Sequence, residues 1–181
     1  ILVDAVRERV AKKKAQTEEW LGVQEEAHRQ GMRTSVTMMY GMGESNADRI
    51  EHLLKIRDLQ ARTGGFTAFI CWPLQPEGTP MFDGTAKTDA VTYLRTLAMG
   101  RIICRNIPNM QSSWVTMGHK VGQVALRFGA NDYGSLMMEE NVVSAAGTTY
   151  RATLEEMERM ITDAGFTARR RRQDYSLIEE A

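Results

Sequence analysis

Asn109-Met110-Gln111-Ser112-Ser113-Trp114-Val115-Thr116-Met117-Gly118 is the stretch on which the fold turns. A long helical pattern precedes it and ends at Pro108. An amphipathic pattern from His119 to Phe128 follows it and is closed by Gly129. Between the two, the residues predict a short strand running into Gln111, Ser112, Ser113 and Trp114. A strand whose C-terminal end carries hydrogen-bonding groups and an aromatic ring, and which feeds a helix, is how α/β proteins build a ligand site. It is also how a strand end satisfies its own turn. The same character recurs at two other predicted strand ends, Met38–Glu44 and Ile70–Pro76.

Outward toward the N-terminus, Thr88 is the expected cap of a helix with Val91, Leu94, Leu97, Ala98 and Ile102 on its inner side. Before it, Pro73 to Thr85 is a loop. Phe66 to Trp72 is a nearly continuous apolar run bounded by glycine and proline, the pattern of a strand covered on both faces. Ser45 or Asn46 opens a helix with Ile50, Leu53, Leu54 and Ile56 inward, ending at Gly64-Gly65. Arg33 to Tyr40 reads as a strand, turned by Gly41-Met42-Gly43. Thr17, Glu18 and Glu19 start a helix that Gly31 stops. Ile1-Leu2-Val3 reads as the tail of a strand, and Ile1 in place of Met predicts that the chain begins inside a longer reading frame.

Toward the C-terminus, Asn131 to Gly134 is a turn and Ser135 to Met138 a short strand. Glu139-Glu140-Asn141 opens a helical turn ending near Gly147. Thr153-Leu154-Glu155-Glu156 is a capping box that starts a last helix, running to Gly165. Phe166 onward reads as a final strand. Strand and helix alternate about four times, which predicts parallel strands with right-handed crossovers. The expected architecture is α/β: a partial TIM-like (β/α) barrel, its C-terminal half, with parallel strands and outer helices over residues 1–181. A full barrel takes about 250 residues, and there are 181 here. In such barrels ligands sit at the C-terminal strand ends, where all three polar stretches fall. Half a barrel leaves two open sheet edges, one at Ile1-Leu2-Val3, so aggregation or pairing of copies is expected.

Composition narrows the function. The hydrophobic share of 43%, the charged share of 25% and the net charge of +0 describe an ordinary globular chain. No bulk charge favours nucleic acid or an anionic membrane, and Arg169-Arg170-Arg171-Arg172 reads as a solvated tail segment. No apolar stretch approaches the roughly 20 residues of a membrane span, and no signal peptide is visible. The two cysteines, Cys71 and Cys104, are neither a disulfide framework nor a metal cluster. That usage suits a cytoplasmic location.

Individual residues leave alternatives open. Glu44 either accepts hydrogen bonds from a ligand amine or ribose, or caps the helix that begins beside it. His28 and His52 lie within helices and read as structural, while His119, just past the central strand, is the better candidate. Ser113 has no base partner and no Gly-x-Ser-x-Gly elbow exists. Lys120 at a barrel mouth is a weak Schiff-base signal. Glu139 and Glu140 are either acid–base groups or helix N-terminal charges.

Several stretches taken together resemble the radical S-adenosylmethionine enzymes of the futalosine route to menaquinone. They are Ile1-Leu2-Val3-Asp4 with Val6-Arg7; Thr37-Met38-Met39-Tyr40-Gly41 with Glu44; Phe66-Thr67-Ala68-Phe69-Ile70 with Trp72 and Gln75-Pro76; Gln111 to Val115; and Glu139 to Val143 with Ala145-Ala146-Gly147. The resemblance is collinear over nearly the whole chain. Ser112-Ser113-Trp114 and Glu139 to Val143 are more similar to the cyclases that close dehypoxanthine futalosine than to siblings making aminofutalosine or the deazaflavin chromophore.

The resemblance implies S-adenosylmethionine and a 4Fe-4S cluster as cofactors, a small-molecule nucleoside substrate and an electron donor for the cluster. It implies a radical that takes hydrogen from the substrate ribose before the ring closes. The family's three-cysteine cluster loop is absent from this sequence, so the chain alone is expected to be inactive. By position, Thr37, Met39, Glu44, Ile70, Cys71 and Trp72 would meet the cofactor, with main chain meeting adenine at the last strand of that set. Gln111, Ser113, Trp114 and Met137 would meet the substrate. A sibling enzyme and a non-catalytic binding module are the alternatives.

Overall fold

The computed structural model describes residues 1–82, 84–136, 142–145, 147 and 150–179. Three parallel strands, β1 (Thr34–Tyr40), β2 (Phe66–Pro73) and β3 (Asn109–Gln111), form one sheet in the order β1-β2-β3. Helix α3 (Asn46–Thr63) connects the first pair and α4 (Ala90–Ile103) the second. The register runs Val36↔Phe69↔Met110 and Thr37↔Ile70↔Gln111 across all three strands, with Met38↔Cys71 and Met39↔Trp72 beyond.

Local chemistry explains the boundaries. The Ser45 hydroxyl accepts from the Asp48 N–H while the Asp48 carboxylate accepts from the Ser45 N–H, a reciprocal cap for α3. The helix stops where Gly64 turns left-handed at φ 61°. Asp89, one residue after the expected Thr88, caps α4 by accepting from the Thr92 N–H. The inner face of α4 also differs from expectation. Leu97 is buried as expected, but Val91 and Ile102 are exposed, and Tyr93, Thr96 and Gly100 are buried in their place. Gly100 explains the choice: a Cβ there would stand 2.8 Å from the Phe69 ring, so its missing side chain lets the helix lie directly on β2. Ile50 of α3 likewise faces solvent, while Leu53, Ile56 and Leu59 are buried.

Val36, Met38 and Tyr40 of β1, Phe69 and Cys71 of β2 and Met110 of β3 pack under these helices as one core. Each large apolar side chain so buried contributes about 1.5–3 kcal/mol. The other face is not covered as expected. Thr37 and Met39 are exposed and Ile70 and Trp72 only half-buried. The apolar run of β2 signals burial on two sides, but the described residues supply a helical layer for one.

Helix α1 (Asp4–Val10) was not legible as a helix, and α2 (Thr17–Arg29) begins after Gln16, with Thr17 inside it. The Thr17 hydroxyl and N–H both donate to the Asp4 carboxylate, which ties the two helices. Ile1-Leu2-Val3 is no strand tail. Its backbone is held by α3 side chains: the Leu2 N–H donates to His52 Nδ1 at 3.0 Å and Lys55 Nζ donates to the Leu2 carbonyl at 2.9 Å.

Past β3 come α5 (Trp114–Met117), α6 (His119–Ala125) with a 3-10 turn at Leu126–Phe128, α7 (Val142–Ala145) and α8 (Leu154–Asp163). A third parallel pairing in the sheet is a bridge at Gln111↔Asp132. Asn131 makes this join, accepting from the Met110 N–H at 2.8 Å through its side chain. Ser135 and Leu136 are outside any strand, and Met137, Met138 and Glu139 to Asn141 lie outside the described residues. The expected strand from Phe166 is instead a tight hairpin, with Arg171 bridged antiparallel to Leu177. Tyr175 stands at its turn with φ 69°, the one non-glycine residue with positive φ among the described residues. Its ring lies 4.1 Å from the Arg171 guanidinium, which pairs with Asp132 at 2.7 Å.

His52 is 2% exposed. Burial, then the nearby cations of the N-terminus, Lys55 and Arg7, hold it well below the usual histidine range. A depressed histidine stabilises above its unfolded pKa, near 6.5, and that stability drains as pH falls toward the folded value. Wild-type stability should therefore drop between pH 7 and 5 more steeply than that of His52→Gln. One proton difference contributes a slope of up to about 1.4 kcal/mol per pH unit. Urea titrations at several pH values check it, and equal slopes would remove His52 from the account.

Candidate functional site

The open sheet face is the place to build a site, because parallel strands put all their C-terminal ends on one edge. Period-two alternation sends Ser35, Thr37 and Met39 of β1 to the uncovered side. Register then sets Thr37, Ile70 and Gln111 side by side in one row, and Met39 beside Trp72 in the next. Five expected contact residues thus converge on one surface: Thr37, Met39, Ile70, Trp72 and Gln111. Trp72 adds a flat ring whose indole N–H is buried without an acceptor among the described residues. The row is an apolar strip between two uncharged polar ends, a surface suited to a planar, uncharged ring system.

The remaining expected residues are placed differently. Cys71 alternates to the helix-covered face and is 0% exposed. Burial pushes its thiol up to about 12, as it does for Cys104, whose Sγ donates to the Leu53 carbonyl. No three His, Cys, Asp or Glu groups come together to hold a metal among the described residues. The described residues therefore do not fit an iron–sulfur cluster. Ser113 is buried: its N–H donates to the Tyr93 hydroxyl at 2.8 Å and its own hydroxyl pairs with Thr116 at 2.7 Å. Trp114 is 1% exposed and belongs to the core, stacked on His119 with ring centroids 5.0 Å apart. Met137 lies outside the described residues.

Glu44 closes its own turn. Its carboxylate accepts from the Gly41 and Met42 N–H groups at 2.8 Å each and pairs with Arg49 at 2.8 Å. Gly41 and Gly43 take φ of 91° and 84°, a turn that brings the Gly41 and Met42 N–H groups onto the carboxylate. Burial would raise the Glu44 carboxyl, but those backbone bonds and the Arg49 guanidinium bring it below the usual glutamate value. Arg49 also lies 4.6 Å over the Tyr40 ring. The histidines read as structural behave so: His28 sits within hydrogen-bonding distance of Thr63 and Thr34, and His52 holds Leu2. His119 Nε2 is engaged with the Arg151 carbonyl at 2.6 Å.

Sequence reasoning passed over Ser35 and Asn109. Both lie on the open face in the row beneath Gln111, and stepping back two residues from Thr37 and Gln111 would have found them. It also passed over Tyr93, whose hydroxyl orients the strand end, since nothing local in the sequence signals a contact from a distant helix. A recess of about 320 Å³ opens nearby, lined by Gln75, Lys87, Thr88, Thr116, Met117 and Tyr150 among others.

Comparison with known proteins gives this geometry a family. Residues 63–181 match the family described as the CofH/MqnC C-terminal region. A cyclic dehypoxanthine futalosine synthase of Halalkalibacterium halodurans is 44% identical over 98% of this chain and 48% of its own length. The corresponding synthase of Streptomyces coelicolor is 43% identical over 97% of this chain and 44% of its own length. A 5-amino-6-(D-ribitylamino)uracil–L-tyrosine 4-hydroxyphenyl transferase of Methanosarcina acetivorans is 38% identical over 100% of this chain and 50% of its own length. The chain spans about half the length of these curated relatives. It belongs to the family of the CofH/MqnC C-terminal region.

Proposed function

We propose that this chain is the C-terminal part of a radical S-adenosylmethionine cyclase that closes dehypoxanthine futalosine, within a partial (β/α) barrel. The observation that carries this reading is the pairing of 44% and 43% identity to two such synthases with an open sheet face bearing Thr37, Ile70 and Gln111 in register. S-adenosylmethionine, with a cluster held elsewhere, supplies hydrogen-atom abstraction. The residues of this chain bind and orient. Thr37, Met39 and Trp72 line the side assigned to the cofactor. Gln111, with both an amide donor and an acceptor, holds the nucleoside. Positioning is most of what protein contributes when a cofactor carries the chemistry. The 38% identity to a transferase keeps a sibling reaction as the second reading.

The test uses the longer polypeptide in which an N-terminal half like that of the relatives precedes this chain, supplied with dehypoxanthine futalosine. The cyclic product is expected. Gln111→Ala should lower kcat/KM roughly two- to tenfold, the worth of one hydrogen bond, at unchanged melting temperature. Conversion of tyrosine and a ribitylaminouracil instead would move the assignment to the transferase.

A further inference from the structure

A cleft lies away from the strand ends, between α8, the segment after β3 and the C-terminal hairpin. It has a volume of about 590 Å³ and touches the sheet at Asn109. Four large apolar side chains that line it, Leu136, Phe166, Leu177 and Ile178, are 37–61% exposed. Apolar exposure gathered at one place marks an interaction surface, whereas scattered exposure does not. The cleft also adjoins the sheet edge: its lining includes Asp132, the last residue bridged to the sheet. A parallel sheet left with an open edge and an open face calls for more chain to complete it.

We propose that this cleft is the socket for the N-terminal half of the enzyme, taking an apolar segment that also carries a carboxylate. This rests on the family reading above. The argument for that occupant is length: the relatives matched are about twice as long as this chain, which covers 48% and 44% of them. Charge argues for the carboxylate. On the rim, Arg170 pairs with Glu158 and Arg171 with Asp132, while Arg169 has no ion pair among the described residues. The hairpin is a wall of the socket. The Asp132–Arg171–Tyr175 stack holds it in place, with Tyr175 kept at a backbone angle that glycine ordinarily takes.

The double variant Leu136→Asp/Leu177→Asp tests the socket. Val91→Asp, at a 64% exposed position on α4, is the control. In the longer polypeptide, the double variant should melt roughly 5 °C or more below the control. In this chain alone, both should melt with the wild type. Equal melting of double variant and control in the longer polypeptide would overturn the proposal. So would a matching loss in the chain alone, which would make these residues part of its own core. Concentration-dependent self-association that the double variant abolishes would assign the cleft to a second copy and overturn it too. Melting is read without turnover, so the socket can stand if the cyclase assignment fails, and can fail if the product is the expected one.

Discussion

Trp114→Ala should lower the stability of the chain by about 3–5 kcal/mol, the usual loss for truncating a buried aromatic. The ring is 1% exposed, stacks on His119, and is approached so closely by α6 that a Cβ on Gly122 would stand 2.8 Å from the Trp114 Cβ. Gly134 closes from another side, its hypothetical Cβ 3.2 Å from the indole nitrogen. A site packed by two glycines cannot collapse easily when the ring is removed, so the cavity persists. Urea unfolding followed by far-UV circular dichroism measures the loss. In the longer polypeptide, the ratio of deoxyadenosine to cyclised product should stay at the wild-type value. A shifted ratio at unchanged stability would instead put the ring against substrate.

Glu44→Ala should cost a comparable amount by a different route. The Arg49 side chain is 11% exposed and Glu44 0%. Removing the carboxylate leaves a nearly buried guanidinium and two backbone N–H groups without their acceptor, and breaking such a pair costs about 3–5 kcal/mol. Glu44→Gln keeps one oxygen acceptor and should lose less. The carboxyl is held below its ordinary value, so its contribution is present above the unfolded pKa, near 4.3, and is lost as pH falls through the folded one. The gap between wild type and Glu44→Ala should therefore narrow in acid. Melting curves from pH 7 to 3 check both points. A gap that stays constant across that range would show that the charge does not matter.

These two residues show what was legible in the sequence. Trp114 and Glu44 both announce themselves as unusual at strand ends. What the sequence hides is direction. Glu44 turns back on Gly41 and Met42, and Trp114 enters a helix whose partners are His119, Gly122 and Gly134. The open face was more legible along β1, where period two applies from Ser35 to Tyr40, than along β2, whose apolar run reads as covered on both sides. On α4, apolar spacing rightly put Leu97 inward but also selected Val91 and Ile102, whereas the helix docks through Tyr93, Leu97 and the smallest residue it has, Gly100. This third sheet pairing hid inside Asn131-Asp132-Tyr133-Gly134, which has turn composition. Its backbone bonds go to Met110 and Ser112, some twenty residues earlier, beyond the reach of local propensity.

Among the described residues only β2 has a full strand on each side, and this bears on the order of folding. β1 and β2 share seven register pairs and one intervening helix, so they can associate as soon as α3 has formed. β3 shares three pairs and must wait for α4 to bring it across. Contacts distant along the chain form late because loop closure precedes their reward. As the chain emerges from the ribosome, the side of the face that bears Thr37 and Met39 takes shape first. The row is finished only when Gln111 arrives, so that end of the face is assembled last and is the first part an unfinished fold would lack.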